Sequence, residues 1–202
     1  MTQQAQGEYT VSHLRPKPEC LDQFMPLWNA RNAAEAAGDA FTVQKLTEQM
    51  REYQYEVGEQ ETFSNLITTV GKNDLLDKYL KGATYTQTIR MGLKGTGSAA
   101  VGDTQASHAG WLEVGLANAP TYTAPRKTVT MGAASAAVST SPVQAFAITS
   151  PGTVAGCFIN NGGSATIDDT TGVLFSAGDF SNGSKVVANL DTLNVTYTLT
   201  AT

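Results

Sequence analysis

Hydrophobic and polar positions change their rhythm repeatedly along this chain, and each change marks a different element. From Glu8 to Arg15, Tyr9, Val11 and His13 alternate with Thr10, Ser12 and Leu14, the period of a strand. Pro16 and Pro18 end it, because proline has no N–H to give to a ladder. Leu21, Phe24, Leu27 and Trp28 then recur at three- and four-residue spacing, one stripe of an amphipathic helix. Pro26 falls inside that stripe, so the spacing predicts a kink there or the start of a second segment. The alanine-rich run 29–37 continues the helix; Gly38 suits its C′ position, and Asp39 can cap a second helix. That second helix carries Phe41, Leu46, Met50 and Tyr53 roughly on one face. Strand alternation resumes at Tyr53, Tyr55 and Val57. The stretch 19–52 therefore reads as an αα-hairpin that replaces the turn of a β-hairpin.

Thr68 or Thr69 can cap a short helix through Leu75, Leu76, Tyr79 and Leu80, closed by Gly82. Beyond it the spacing predicts strands at 85–93, 111–114, 126–131, 143–149, 153–160, 172–176, 185–188 and 192–200. Turn signals such as Gly95-Thr-Gly97, Asn161-Gly-Gly163 and Asn182-Gly183 separate them. The small-residue run 133–138 reads as a loop or a flat strand edge. Many short strands without intervening helices predict a mainly β protein, an antiparallel β-sandwich or jelly roll with an N-terminal helical hairpin insertion.

Composition divides the chain in the same sense. Residues 1–82 hold 20 of the 31 Asp, Glu, Lys and Arg residues, whereas 14 of the 19 glycines follow Gly82. The expected organisation is a segment 1–64, with strands around the insert, and a β-domain 65–202 with its short helix at 69–81. The net charge of −5 carries no basic stripe, which argues against a nucleic-acid partner. No run approaches the ~18 apolar residues of a membrane span. The first residues lack the basic and apolar regions of a signal peptide, so folding in a cytoplasm is expected. Cys20 and Cys157 then read as free thiols, Cys157 as a small core residue inside 154–159.

Candidate chemistry is thin. A nucleophilic triad would need His13 or His108 as its base. His13 alternates with strand residues and reads as a packed or rim histidine. His108 follows Asp103 and Ser107 in a polar turn whose side chains are expected to bond nearby backbone amides. Two cysteines and two histidines spread over the chain assemble no zinc site. Asp168, Asp169 and Asp179 bracket a glycine-rich stretch that calcium could use, although Asp-Asp is equally a turn pair. Glu59 and Glu61 share one face of an expected strand, where acids keep an edge soluble. Asn182-Gly-Ser and Asn194-Val-Thr match a glycosylation acceptor but read as a turn and a strand. No catalytic residue, metal site or cofactor is expected.

The stretch Asn65-Leu-Ile-Thr-Thr-Val-Gly-Lys-Asn73, followed by a short helix and Gly82-Ala-Thr-Tyr85, resembles a family of small tailed-bacteriophage virion proteins. Further landmarks agree in order: Gly102-Asp-Thr-Gln-Ala-Ser-His-Ala-Gly-Trp111, Asn118-Ala-Pro-Thr-Tyr122, and 174–180 through Gly183 to 191–197. The similarity covers about 53–202. It implies a particle component without enzymatic activity, a capsid decoration or cement protein by preference and a tail or fibre-base protein otherwise. The implied partners are the major capsid protein and neighbouring copies of the chain, in a virion. In that family a short turn precedes the segment before Asn65, so 19–52 is a departure from its pattern. If this insert serves as an interface, its contacts would be Leu21, Phe24, Leu27, Trp28, Phe41 and Leu46; the alternative is that these residues pack on the sandwich or on each other. A carbohydrate-binding module is a different reading, through Trp111, Tyr122 and Phe180 near turns.

Overall fold

The computed structural model describes residues 5–82, 88–123 and 125–201. The strands are β1 (Ala5–Pro16), β2 (Gln54–Glu56), β3 (Glu61–Ser64), β4 (Leu66–Ile67), β5 (Ile89–Lys94), β6 (Glu113–Val114) and β7 (Lys127–Val129). They continue with β8 (Val138–Thr140), β9 (Gln144–Ala147), β10 (Gly152–Val154), β11 (Gly156–Asn161), β12 (Val173–Asp179), β13 (Lys185–Val187) and β14 (Thr192–Ala201). The helices are α1 (Leu21–Ala36), α2 (Ala40–Met50) and α3 (Thr69–Leu80). The protein is mainly β, and its strand pairs are antiparallel.

The first and last strands form the spine of one six-stranded sheet. β1 pairs with β14 over most of its length, from Ala5↔Ala201 to Leu14↔Thr192. β2 and β3 share the far side of β1, and β8 and β9 share the far side of β14. The second six-stranded sheet runs β4-β12-β11-β5, with β6 and β7 both on β5, and β10 and β13 make a separate ribbon. One large core lies between the two sheets, combining Tyr9, Phe63 and Tyr197 of the first with Leu93, Cys157 and Ile159 of the second. Side-chain alternation explains that membership. Tyr9 faces Tyr197 and Phe63 across the strands, with ring centroids 5.0 and 5.4 Å away, while Thr10, Thr62 and Thr196 turn to the opposite, polar face. Residues before Asn65 thus share a sheet and a core with the last ten.

Helices α1 and α2 lie between β1 and β2, which pair through Leu14↔Glu56 and Pro16↔Gln54. Asp39 caps α2 by accepting from the Thr42 amide at 3.0 Å, and Gly38 takes φ +75° between the helices. Pro26 does not begin a second segment. α1 is continuous across it and forgoes the single bond its N–H would have made. The two helices stand over the polar face of the first sheet, where a cleft of about 840 Å3 remains, lined by Thr10, Ser12 and Thr196 below and Gln44, Thr47 and Arg51 above.

Several expected boundaries move. The strand expected at 153–160 is two strands, because Ala155 passes the chain from the ribbon into the second sheet, its amide bonding the Lys94 carbonyl and its own carbonyl the Phe180 amide. Only Glu113–Val114 of the expected 111–114 strand pairs, since Trp111 turns onto the outer face of the second sheet against Phe158 and Leu174. The beginning of the strand expected from Tyr85 lies outside the described residues; β5 starts at Ile89. β4 and β8 lack a distinct periodic signal because they are only two and three residues long, and the strand expected around Glu59 and Glu61 begins at Glu61 as β3.

Candidate functional site

Helix α3 carries its apolar side chains on the wrong side for a core helix. The Thr68 hydroxyl caps its first turn, accepting from the Gly71 amide at 3.0 Å and donating to the Leu174 carbonyl. Gly71 rests on the backbone of β12, where a Cβ would stand 2.3 Å from the Phe175 carbonyl oxygen. Further along the same face, Asp74 accepts from the Asn161 side chain at 2.7 Å and pairs with Lys78 at 3.0 Å. A polar, close-packed face thus holds the helix down. Leu76, Tyr79 and Leu80 are left 54%, 85% and 72% exposed, with Leu75 beside them. An adjoining groove of about 370 Å3 extends this surface between the sheets, with walls from Leu75, Tyr79, Ile89, Ile159, Phe175 and Leu199. A contiguous apolar surface of this kind marks a contact site more often than chance exposure does.

The residues expected to form an interface on the helical hairpin divide. Phe24 and Trp28 are buried with Met50 and Ala147 in a small second core, and Leu27 packs partly against it. These residues attach the helices to β9 and are not available to a neighbour. Leu46 is half-buried, and only Leu21 and Phe41 are exposed, Phe41 at 77%. The attachment also has an ionic part. Arg31 is buried, donates to the Ala145 carbonyl at 3.0 Å and pairs with Glu35, which in turn accepts from Lys127 of β7. Burial lowers the pKa of the Lys127 ammonium to about 8, with Glu35 holding it up in part.

His13, Glu61 and His108 each make contacts within the fold. His13 faces the core side because it sits opposite Leu193, and its Nε2 lies 2.7 Å from Asp191, which also accepts from Arg15 at 2.7 and 2.8 Å. Burial alone would raise the Asp191 carboxyl; hydrogen bonds from Arg15, His13 and the Ala188 amide outweigh it and hold the carboxyl below its ordinary range. Glu61 is not an exposed edge acid. It sits opposite Val11, faces inward, pairs with Lys185 at 2.7 Å and accepts from the Asn182 amide at 2.8 Å. His108 stacks on Trp111, and Asp103 accepts from the Ala100 amide and the Trp111 indole, so this turn holds Trp111 in place. Sequence reasoning missed the buried pair Glu113–Arg126, whose two hydrogen bonds of 2.6 and 2.8 Å join β6 to the residue before β7. Glu113 lies on so short a strand that no periodicity betrays its inward face.

Asp179 pairs with Lys94 and Asp169 caps the Thr171 amide, so the acids considered for calcium serve separate structural contacts. Among the described residues, no group of three or more His, Cys, Asp or Glu is placed to hold a metal. Trp111, Tyr122 and Phe180 are buried, which removes the exposed aromatics on which a sugar-binding reading depended. Cys20 and Cys157 are free thiols, Cys157 fully buried. Among the described residues no helix is long and apolar enough to cross a membrane. No family model matches the chain, and neither does any curated protein or solved structure with which it was compared.

Proposed function

We propose that this chain is a structural protein of a bacteriophage virion, a capsid decoration or cement protein that transforms no substrate. On this reading the two sheets are a β-sandwich, and 19–52 is a helical insertion into the β1–β2 hairpin that extends the particle contacts of a compact β plug. The observation that carries it is a division of labour. Buried acids and bases are engaged in structural pairs such as Asp191–Arg15, Glu61–Lys185 and Glu113–Arg126, while the free surface of α3 and the start of α2 offer apolar side chains. Such a surface suits recognition by shape and apolar burial. The resemblance of 53–202 to virion proteins supplies the setting. A subunit that binds an assembled lattice and not its free components stabilises the lattice by mass action, and repetition over many equivalent sites multiplies a modest interface.

The test is binding of the purified chain to purified capsids and to tails, together with mass spectrometry of purified virions. Saturable binding to capsids and presence in virions support the proposal. Binding to tails alone moves the protein to the tail or fibre base, and absence from virions together with turnover of any substrate refutes it.

A further inference from the structure

The chain holds two Asn-Gly pairs, Asn161-Gly162 and Asn182-Gly183, which as sequence are chemically equivalent. In such a pair the glycine nitrogen can reach the carbonyl carbon of the asparagine side chain, because the following residue has no Cβ to obstruct the approach. Both glycines have positive φ, +74° and +83°, and no described atom lies within 4 Å of the position a Cβ would take on either. What separates the two pairs is how each asparagine is held.

Asn161 ends β11 between two neighbouring strands, opposite Ile89 of β5 and Val173 of β12. It is 8% exposed, and its side chain donates to Asp74 of α3 at 2.7 Å. The Gly162 amide donates to the Thr88 carbonyl at 2.9 Å. Closing a ring between this pair would break both bonds within a paired strand. Asn182 stands instead in the turn between β12 and β13, where residues 181–184 are all exposed. Its backbone amide donates to Glu61 at 2.8 Å, but among the described residues its side chain has no hydrogen-bond partner. The Gly183 amide makes only a long bond, 3.3 Å, to the Phe180 carbonyl. Electrophile, nucleophile and water thus meet where no ladder bond has to break.

We infer that Asn182 is a site of spontaneous modification, which loses its side-chain amide through a cyclic imide with Gly183, while the fold protects Asn161 from the same reaction. The Gly183 nitrogen gives up its proton and bonds to Asn182 Cγ, and the side-chain nitrogen leaves as ammonia. Water then opens the five-membered ring at either of its carbonyls. One opening leaves a side-chain carboxylate on an unchanged backbone; the other leaves an α-carboxylate and routes the backbone through the former side chain. Nothing is oxidised or reduced, and water is the co-reactant. Either product replaces a neutral amide with a negative charge. The second also adds a methylene to the backbone between the amide of residue 182 and Lys185, both of which bond to Glu61. The inference is independent of the virion reading, since it needs only a folded chain in water.

The test incubates the folded full chain in mildly alkaline buffer made with water enriched in heavy oxygen. Peptide mass mapping then follows the exchange of NH2 for OH at each asparagine. Conversion at position 182 is expected to run about tenfold or more faster than at 161, a ratio worth about 1.4 kcal/mol in barrier. Heavy oxygen in the new carboxyl shows that the reaction took place during the incubation, and a methyltransferase selective for β-linked aspartate detects the second product. Asn182→Gln, whose longer side chain would have to close a larger ring, is expected to abolish conversion at 182 in a chain that circular dichroism shows to be folded. In denaturant the two pairs should convert at similar rates, because the protection of Asn161 is then lost. A native ratio below about tenfold overturns the inference, as does a position 182 that converts only after unfolding. A denatured chain in which 161 stays the slower site also overturns it, because its protection would then not come from the fold.

Discussion

Replacing Glu113 with alanine removes one half of a buried ion pair. The carboxylate and Arg126 are 3% and 0% exposed, and two hydrogen bonds of 2.6 and 2.8 Å join them. Burial works against the guanidinium charge, and Glu113 more than offsets it, so Arg126 is held above its ordinary range. Without Glu113 the arginine keeps only the Ser164 and Asp169 carbonyls, and the Asp168 amide loses its acceptor. Leaving an uncompensated buried charge costs about 3–5 kcal/mol. For a chain of 202 residues, each kcal/mol lowers Tm by about 2–4 °C, which places the loss at about 6–20 °C. Thermal melting by circular dichroism, with urea unfolding to check that the m-value is unchanged, measures it. The informative control is Glu113→Leu with Arg126→Met, which removes both charges and is expected to recover most of the loss. A single variant that melts within about 2 °C of the parent, or a double variant as unstable as the sum of its singles, would refute the reasoning.

Tyr197→Asp places an unpaired carboxylate in the large core, where the Tyr197 ring now stands 5.0 Å from that of Tyr9, and is expected to abolish cooperative melting; an unchanged Tm contradicts this. Burial pushes the Cys157 thiol well above its ordinary range, so a thiol reagent should label only Cys20 in the native protein and both cysteines after denaturation; equal native labelling would mean the core is open. Asp191 and Glu61 titrate below their ordinary values in the fold, so their stabilisation is present above about pH 4 and disappears as pH falls through the lowered values. Asp191→Asn should therefore lower Tm at neutral pH far more than in strong acid, about two pH units below the ordinary carboxylate value, and an equal loss at both would exclude the linkage. Replacing 19–52 by a short Gly-Ser bridge should leave the β-sheet circular dichroism intact, because the Lys17 amide already bonds the Tyr53 carbonyl at 2.8 Å across the gap. Tm should fall as Ala147 is uncovered and Lys127 loses Glu35, and collapse of the sheet signal would make the helices part of the essential core.

Long periodic segments were readable without coordinates. The alternation around Tyr9 and Val11, the Gly38-Asp39 junction and the Thr68 cap each depend on neighbours within a few residues, and each appears where expected. The burial of Glu61, Trp111, Tyr122 and Phe180 was not readable, because it depends on partners far along the chain. Glu61 is turned inward by its register with Val11 and neutralised by Lys185, more than a hundred residues later. The burial of Phe24 and Trp28 was unreadable for the same reason: they find Ala147 of β9, which nothing in their own segment announces.

Local chemistry alone therefore determined which segments become strands and helices, where α2 and α3 begin, and that the later chain is predominantly β. Pairing of the first strand with the last, the inward turn of the charged residues and the outward turn of the α3 stripe were decided by tertiary structure. Periodicity identifies a side of an element that differs from its opposite side, but it does not say which one meets the protein. In α3 the contact with β12 needed Gly71 for close approach and that with β11 needed Asp74 for Asn161, and this requirement left the leucines and Tyr79 facing outward.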